Sequence, residues 1–168
     1  MSIVRYYLNG TQTNDGTGGI IYDLSDTIGT AGSVNNTTNQ TAFTLTQAWQ
    51  QTVGTTVSGT SFDISIDANS ISGTAEFRFR IARIDNTNTI QAASSYSSTY
   101  NTTGIKTATL TLSTTWNTGD RLRLEFEARR AGGHGNVSVE VNTGDADSYV
   151  DADITIPSAY DGRFFLMF

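Results

Sequence analysis

The stretch Thr107-Ala-Thr-Leu-Thr-Leu-Ser-Thr-Thr-Trp116-Asn-Thr-Gly-Asp-Arg-Leu-Arg-Leu-Glu-Phe-Glu-Ala128 decides the fold class. Ala108, Leu110 and Leu112 alternate with threonines. After the turn Asn117-Thr-Gly-Asp120, Leu122, Leu124, Phe126 and Ala128 alternate with arginines and glutamates. Successive strand side chains point to opposite faces, so this period of two marks two half-buried strands joined by a tight turn. The same alternation runs outward in both directions: Phe43 and Leu45; Phe62, Ile64, Ile66 and Ala68; Phe77, Phe79 and Ile81; Val137, Val139 and Val141. At Ile81-Ala-Arg-Ile84 the apolar step changes from two to three, and a β-bulge there would keep Ile84 inside. No long segment carries a helical stripe. The window Thr46 to Val53, around Trp49, admits at most one helical turn. The expected fold is all-β: an antiparallel two-sheet β-sandwich, most simply a jelly roll.

The first forty residues read differently. Ile3 to Leu8 and Ile20 to Leu24 are short apolar runs set among Asn, Gly and Thr, which is turn and loop chemistry. The expected organisation is an extended N-terminal arm over residues 1–40 and the sandwich over 41–157. An apolar C-terminal tail or last strand follows over 158–168.

Composition narrows the function. The 168 residues hold 10 Lys+Arg against 16 Asp+Glu, one His and no Cys, for a net charge of −6. Without Cys there are no disulfides, thiolate nucleophiles or Cys-based metal sites. The acidic balance opposes nucleic-acid binding, which needs a basic surface to release counterions. No apolar run approaches the ~18 residues of a membrane helix. Met1 to Leu8 lacks the pattern of a secretory signal. Low charge with abundant Thr, Ser, Asn and Gly suits a structural or binding module, and no catalysis and no cofactor are expected.

Few residues offer chemistry. His134 sits in the glycine turn Ala131-Gly-Gly-His-Gly-Asn136, which supplies neither rigidity nor a partner for a catalytic base. Asp145, Asp147, Asp151 and Asp153 could offer oxygen ligands to Ca²⁺, or could simply be an acidic strand edge. Glu125 and Glu127 lie beside Arg121 and Arg123, where cross-strand ion pairing accounts for them better than glycoside hydrolysis does. Tyr96, Tyr100 and Trp116 flank loops and could form a sugar-stacking platform, or pack at the rim. Seven of the nine arginines lie between residues 78 and 130, available either for contacts between copies or for pairing with Glu76, Asp85, Glu125 and Glu127. Residues 164–168 (Phe164, Phe165, Leu166, Met167, Phe168) are all apolar. In water such a run is an aggregation hazard, so it should be a last core strand or dock on a partner, together with Tyr6 and Tyr7.

The stretch Leu110-Thr-Leu-Ser-Thr-Thr-Trp116-Asn-Thr-Gly119-Asp120-Arg-Leu-Arg-Leu-Glu-Phe126, followed by Gly135-Asn-Val-Ser-Val-Glu-Val-Asn142, resembles tailed-phage virion proteins. Those chains pair a strand, a W/L-x-x-G-D-x-L turn and a second strand with a Gly-rich hairpin. The Thr/Asn/Gly-rich body and aromatic end are similar to phage head decoration (cement) proteins and fibre domains. The resemblance covers about residues 41–156. It implies a jelly-roll accessory protein on the capsid surface of a virion, commonly a homotrimer that clamps neighbouring major capsid protein subunits. The alternative it leaves is a carbohydrate- or receptor-binding fibre module.

Overall fold

A computed structural model of the chain describes residues 2–13 and 21–155. Among these there are eleven strands and no helix. In chain order the strands are β1 (Ser2–Thr13), β2 (Ile21–Ser25), β3 (Gly32–Thr38), β4 (Thr44–Thr52), β5 (Val57–Ser72) and β6 (Ala75–Ile84). They continue with β7 (Ile90–Ala93), β8 (Gly104–Trp116), β9 (Arg121–Arg130), β10 (Val137–Thr143) and β11 (Tyr149–Thr155). The chain is all-β, as its alternation requires. The hydrogen-bonded order is β3-β10-β5-β11-β1-β2-β4-β9-β6-β7, with β8 on the remaining edge of β5. All pairs are antiparallel except β2 with β4. The ladder is one continuous path, so no break in pairing marks a boundary between two layers.

The path brings distant strands onto one core. Phe77 and Phe126, from β6 and β9, stack at 5.1 Å, and Trp49 of β4 meets Phe126 edge-on at 6.4 Å. Phe62 of β5 meets Trp116 of β8 edge-on at 5.6 Å. Both groups belong to a single buried cluster with Ile64, Ile66, Leu124 and Val139. Aromatic rings of this kind bury large apolar areas and dominate core energetics. Gly59 is required beside this pair: a Cβ there would lie 2.9 Å from the Trp116 ring and 3.1 Å from Phe62.

Two expectations are corrected. Within the span expected as an extended arm, residues 2–13, 21–25 and 32–38 form β1, β2 and β3. Leu8, Leu24 and Val34 reach the core, and β1 lies between β11 and β2. The pattern was masked because polar residues also point inward. Asn36 is 1% exposed. Its Nδ2 donates to the carbonyls of Val34 and Val139, and its Oδ1 accepts from Thr46. Such buried amides are tolerated when every polar atom finds a partner. The bulge expected at Ile84 is also absent from the β6–β9 ladder, whose register runs unbroken from Ala75↔Arg130 to Ile84↔Arg121. Ile84 therefore keeps the outer-face parity of Arg80 and Ala82, and it is fully buried without joining the core cluster. The register slips instead on the β7 side, between Arg83 and Ile84. The window Thr46 to Val53 is strand up to Thr52.

The core role of β1 has a direct test. Leu8→Ala should lower the unfolding free energy by about 2–5 kcal/mol, the usual cost of truncating a buried leucine. Ile3→Ala on the same strand, at a residue 74% exposed, should change it by less than about 0.5 kcal/mol. Urea denaturation midpoints of the two variants should separate accordingly.

Candidate functional site

Two features of the surface stand out: a ladder of arginines and rings on the outer face of β6 and β9, and a cavity at the end where β4 and β9 meet the turns.

The ladder follows from register. Glu76, Arg78 and Arg80 of β6 stand opposite Arg129, Glu127 and Glu125 of β9, on the face away from the core. Opposite charges directly across an antiparallel pair attract, and here all three rows pair: Arg129–Glu76 at 2.6 Å, Arg78–Glu127 and Arg80–Glu125 at 2.7 Å. Aromatic rings interleave the guanidinium groups. Arg129 and Arg78 lie 4.4 and 4.1 Å from the Phe43 ring, and Arg78 and Arg80 lie 3.8 and 4.6 Å from the Tyr96 ring. The resulting order Arg129, Phe43, Arg78, Tyr96, Arg80 alternates cation and ring, each contact favourable through the ring quadrupole.

Tyr96 is placed by the segment that follows β7. Ser94 and Ser97 run along the free edge of β6 and satisfy it twice each. Their N–H groups donate to the carbonyls of Ile81 and Phe79, and their hydroxyls accept from the Ile81 and Phe79 N–H. Tyr100 closes the run with a reciprocal backbone pair to Phe77. Covering an edge this way removes a site for adventitious strand addition. The spacing of three along Ser94, Ser97 and Tyr100, against two on β6, sends Tyr96 to the outer face and Tyr100 toward the core. The Ser-x-x-Ser-x-x-Tyr repeat was the available signal. The period-2 reading passed over it.

The sugar-stacking expectation is corrected by these placements. Trp116 is 1% exposed and packed on Phe62. Tyr100 stacks on Phe79 at 5.8 Å and donates its hydroxyl to the Thr107 carbonyl. Tyr96 is held between arginines, its hydroxyl donating to Glu127 at 2.6 Å. No shared platform remains. The Asp145–Asp153 segment is likewise dispersed. Asp145 accepts the N–H groups of Asp147 and Ser148 within its turn, and Asp151 takes Arg5 in a two-pronged bond. Among the described residues no group of three or more His, Cys, Asp or Glu is arranged to hold a metal ion. Tyr6 and Tyr7, neighbours on β1, point to opposite faces, and only Tyr6 packs against the core. Phe164, Phe165, Leu166, Met167 and Phe168 lie outside the described residues. The arginine question resolves toward internal pairing. Besides the ladder, Arg83 bonds Asp120, Arg121 the Asp85 carbonyl, Arg123 the Gln50 side chain and Arg130 the Gly135 carbonyl. Asp120 also accepts the Asn117 N–H, closing the turn in which Gly119 adopts φ 91°.

The cavity measures about 390 Å³, within the range usual for ligand sites. Phe62, Trp116, Leu122 and Ile154 wall it, Tyr6 stands at its side, and Asp26, Gln51 and Gly54 edge it. Burial, with the Asp26 carboxylate adding to it, pushes the Tyr6 phenol above its ordinary pKa. Sequence reasoning did not find this site, because its lining comes from seven strands that only the fold assembles.

No family model matches the sequence, and no curated protein matches it. Solved structures do match. A CocE/NonD family hydrolase from Staphylococcus aureus superposes with a TM-score of 0.60 at 10% identity, over 92% of this chain and 37% of that one. An alpha-amino acid ester hydrolase superposes with a TM-score of 0.61 at 10% identity, over 90% and 36%. The chain thus spans a little over a third of their length, and likeness at this identity is one of fold. It corrects the expectation of a chain set apart from catalysis, since this fold occurs within hydrolases.

The ladder carries a pH signature. Burial first, and the bond to Glu127 second, push the Tyr96 phenol up to about 12. A raised pKa in the folded state means that the stability it contributes is complete below the unfolded value of ~10 and is lost as pH climbs to about 12. Chemical denaturation between pH 9 and 12 should show stability falling with pH, and Tyr96→Phe should flatten that fall.

Proposed function

We propose that the chain is a virion accessory protein that decorates a capsid, a rigid β-body fastened to neighbouring capsid subunits through its apolar C-terminal sequence. The observation behind this reading is how the charges are used. Every described arginine donates to an acceptor within the chain, so the basic middle of the sequence is spent on stiffening the body. The sequence keeps Phe164, Phe165, Leu166, Met167 and Phe168 as its most adhesive element. Apolar segments of this kind drive association by area removed from water, roughly 25 cal/mol per Å². Assembly as a homotrimer belongs to the same reading, and sedimentation equilibrium measures it directly.

Replacing Phe164, Phe165 and Phe168 by serine in the full chain should weaken co-sedimentation with purified capsids at least tenfold, while circular dichroism of the body stays unchanged. Undiminished decoration by that variant ends the reading.

The fold shared with hydrolases favours a second reading, in which the chain serves as the β-domain of a larger ester-cleaving enzyme. A Ser–His–acid arrangement drawn from this sequence has only His134 to use, and that residue stands in an exposed turn. Turnover of a p-nitrophenyl ester by the purified chain, abolished by His134→Ala, would carry this reading over the first.

A further inference from the structure

We propose that the cavity beside Trp116 is a binding site for a small organic cation, a single ammonium group carrying a short apolar tail. Size sets the first limit. A dry cavity of about 150 Å³ is enough to hold benzene. At about 390 Å³ this one admits a ring with a short arm, and no chain of several large side chains. The floor is closed, since Phe62 and Trp116 are 0% and 1% exposed. The accessible apolar surface comes from the half-buried Val4, Tyr6 and Val53, with smaller contributions from Val57, Leu122 and Ile154. Such a surface suits one ring or a few methylenes leaving water.

Charge selects the head group. Asp26 is the only charged side chain among the lining residues, and it is exposed at the rim. Its hydrogen bond comes from the neighbouring Thr27 hydroxyl, and among the described residues no Lys or Arg pairs with it. The Tyr6 hydroxyl, without a hydrogen-bond partner among the described residues, stands in the same cavity. The Asp26 carboxylate already acts on it, adding to burial in raising the phenol. A carboxylate and a phenolic oxygen both accept from an ammonium, and the carboxylate repels an anion. The cavity is thus apolar inside and negative at its mouth, the complement of an amine with a hydrocarbon tail. This assignment rests on the cavity alone and is independent of both functional readings above.

Benzylamine is the probe, titrated into the isotope-labelled full chain and followed by NMR. The chain has two tryptophans, which separates the readout from its control. The Trp49 indole N–H donates to the Asn9 carbonyl outside the cavity lining, and the Trp116 indole N–H has no partner in the chain. Saturable shifts should gather at Gly54, Thr55 and the Trp116 indole, with a Kd on the order of 1 mM for a ligand this small. The Trp49 indole signal should stay still. Asp26→Asn should raise that Kd roughly three- to fivefold, the effect of an exposed ion pair. It should leave the weaker binding of benzyl alcohol unchanged, and phenylacetate should not bind. Val53→Trp, from a half-buried position, should block amine and alcohol alike. Asp26 is exposed, so its variant keeps the test intact even where Val53→Trp fails to fold. No saturable shift with benzylamine, phenylacetate binding as tightly as the amine, or an Asp26→Asn variant that binds benzylamine as before would overturn the proposal. Shifts centred on other carboxylates would overturn it too, as adventitious cation binding only.

Discussion

Every backbone N–H and C=O that leaves water needs a partner, and β5 is where this constraint shapes the molecule. At sixteen residues it is the longest strand, and it is paired along both edges. One edge takes β8, from Val57↔Trp116 to Ala68↔Gly104. The other takes β11 over Ser58 to Ser65 and β10 over Ala68 to Ser72. Three strands from the second half of the chain are thereby referenced to one from the first. Phe62, Ile64, Ile66 and Ala68 turn inward along β5 and supply the floor on which the rest of the core closes. β1 joins through β11, and β2 then passes the ladder in parallel to β4.

The opposite side of the molecule is organised by charge. Glu125 is 2% exposed and Arg80 sits against it. Removing such ions from water is costly, and the attraction between them offsets the cost only when geometry and further hydrogen bonds are good. The β6–β9 register supplies the geometry, and the rings of Phe43 and Tyr96 cover the guanidinium faces. The outer face thus pairs its charges and stays close to neutral. That is why the arginines, which dominate the basic content of the sequence, leave so little free positive surface.

Much of the architecture was legible. Alternation at Phe62–Ala68, Phe77–Ile81, Ala108–Leu112, Leu122–Ala128 and Val137–Val141 marks strands that the structure contains. The Asn117–Asp120 turn is also where its Gly-Asp pair places it. The early strands were hidden because β3 buries Asn36 and Thr38 beside Val34, so hydrophobicity alone shows no period. Ile84 misled for the converse reason: an apolar residue can be buried on the outer face without any slip in the β6–β9 register. Tyr96, Tyr100 and Trp116 were recognisable as aromatics near loops, but which face each ring takes depends on the three-residue step of Ser94–Tyr100 against β6.

Local chemistry is written in the sequence: which residues favour strands, where turns fall, which charges alternate, and that residues 164–168 are apolar. These follow from side-chain size, polarity and spacing, and they need no knowledge of neighbours. Tertiary structure alone decided that β1 enters the sheet between β11 and β2, that Arg5, Arg78, Arg80, Arg83 and Arg129 pair with internal carboxylates, and that Tyr6, Phe62, Trp116, Leu122 and Ile154 wall one cavity. The physical reason is separation along the chain. Many of those contacts, such as Tyr6 with Val150 and Arg78 with Glu127, join residues dozens of positions apart, and only the complete pairing of strands sets the distance between them.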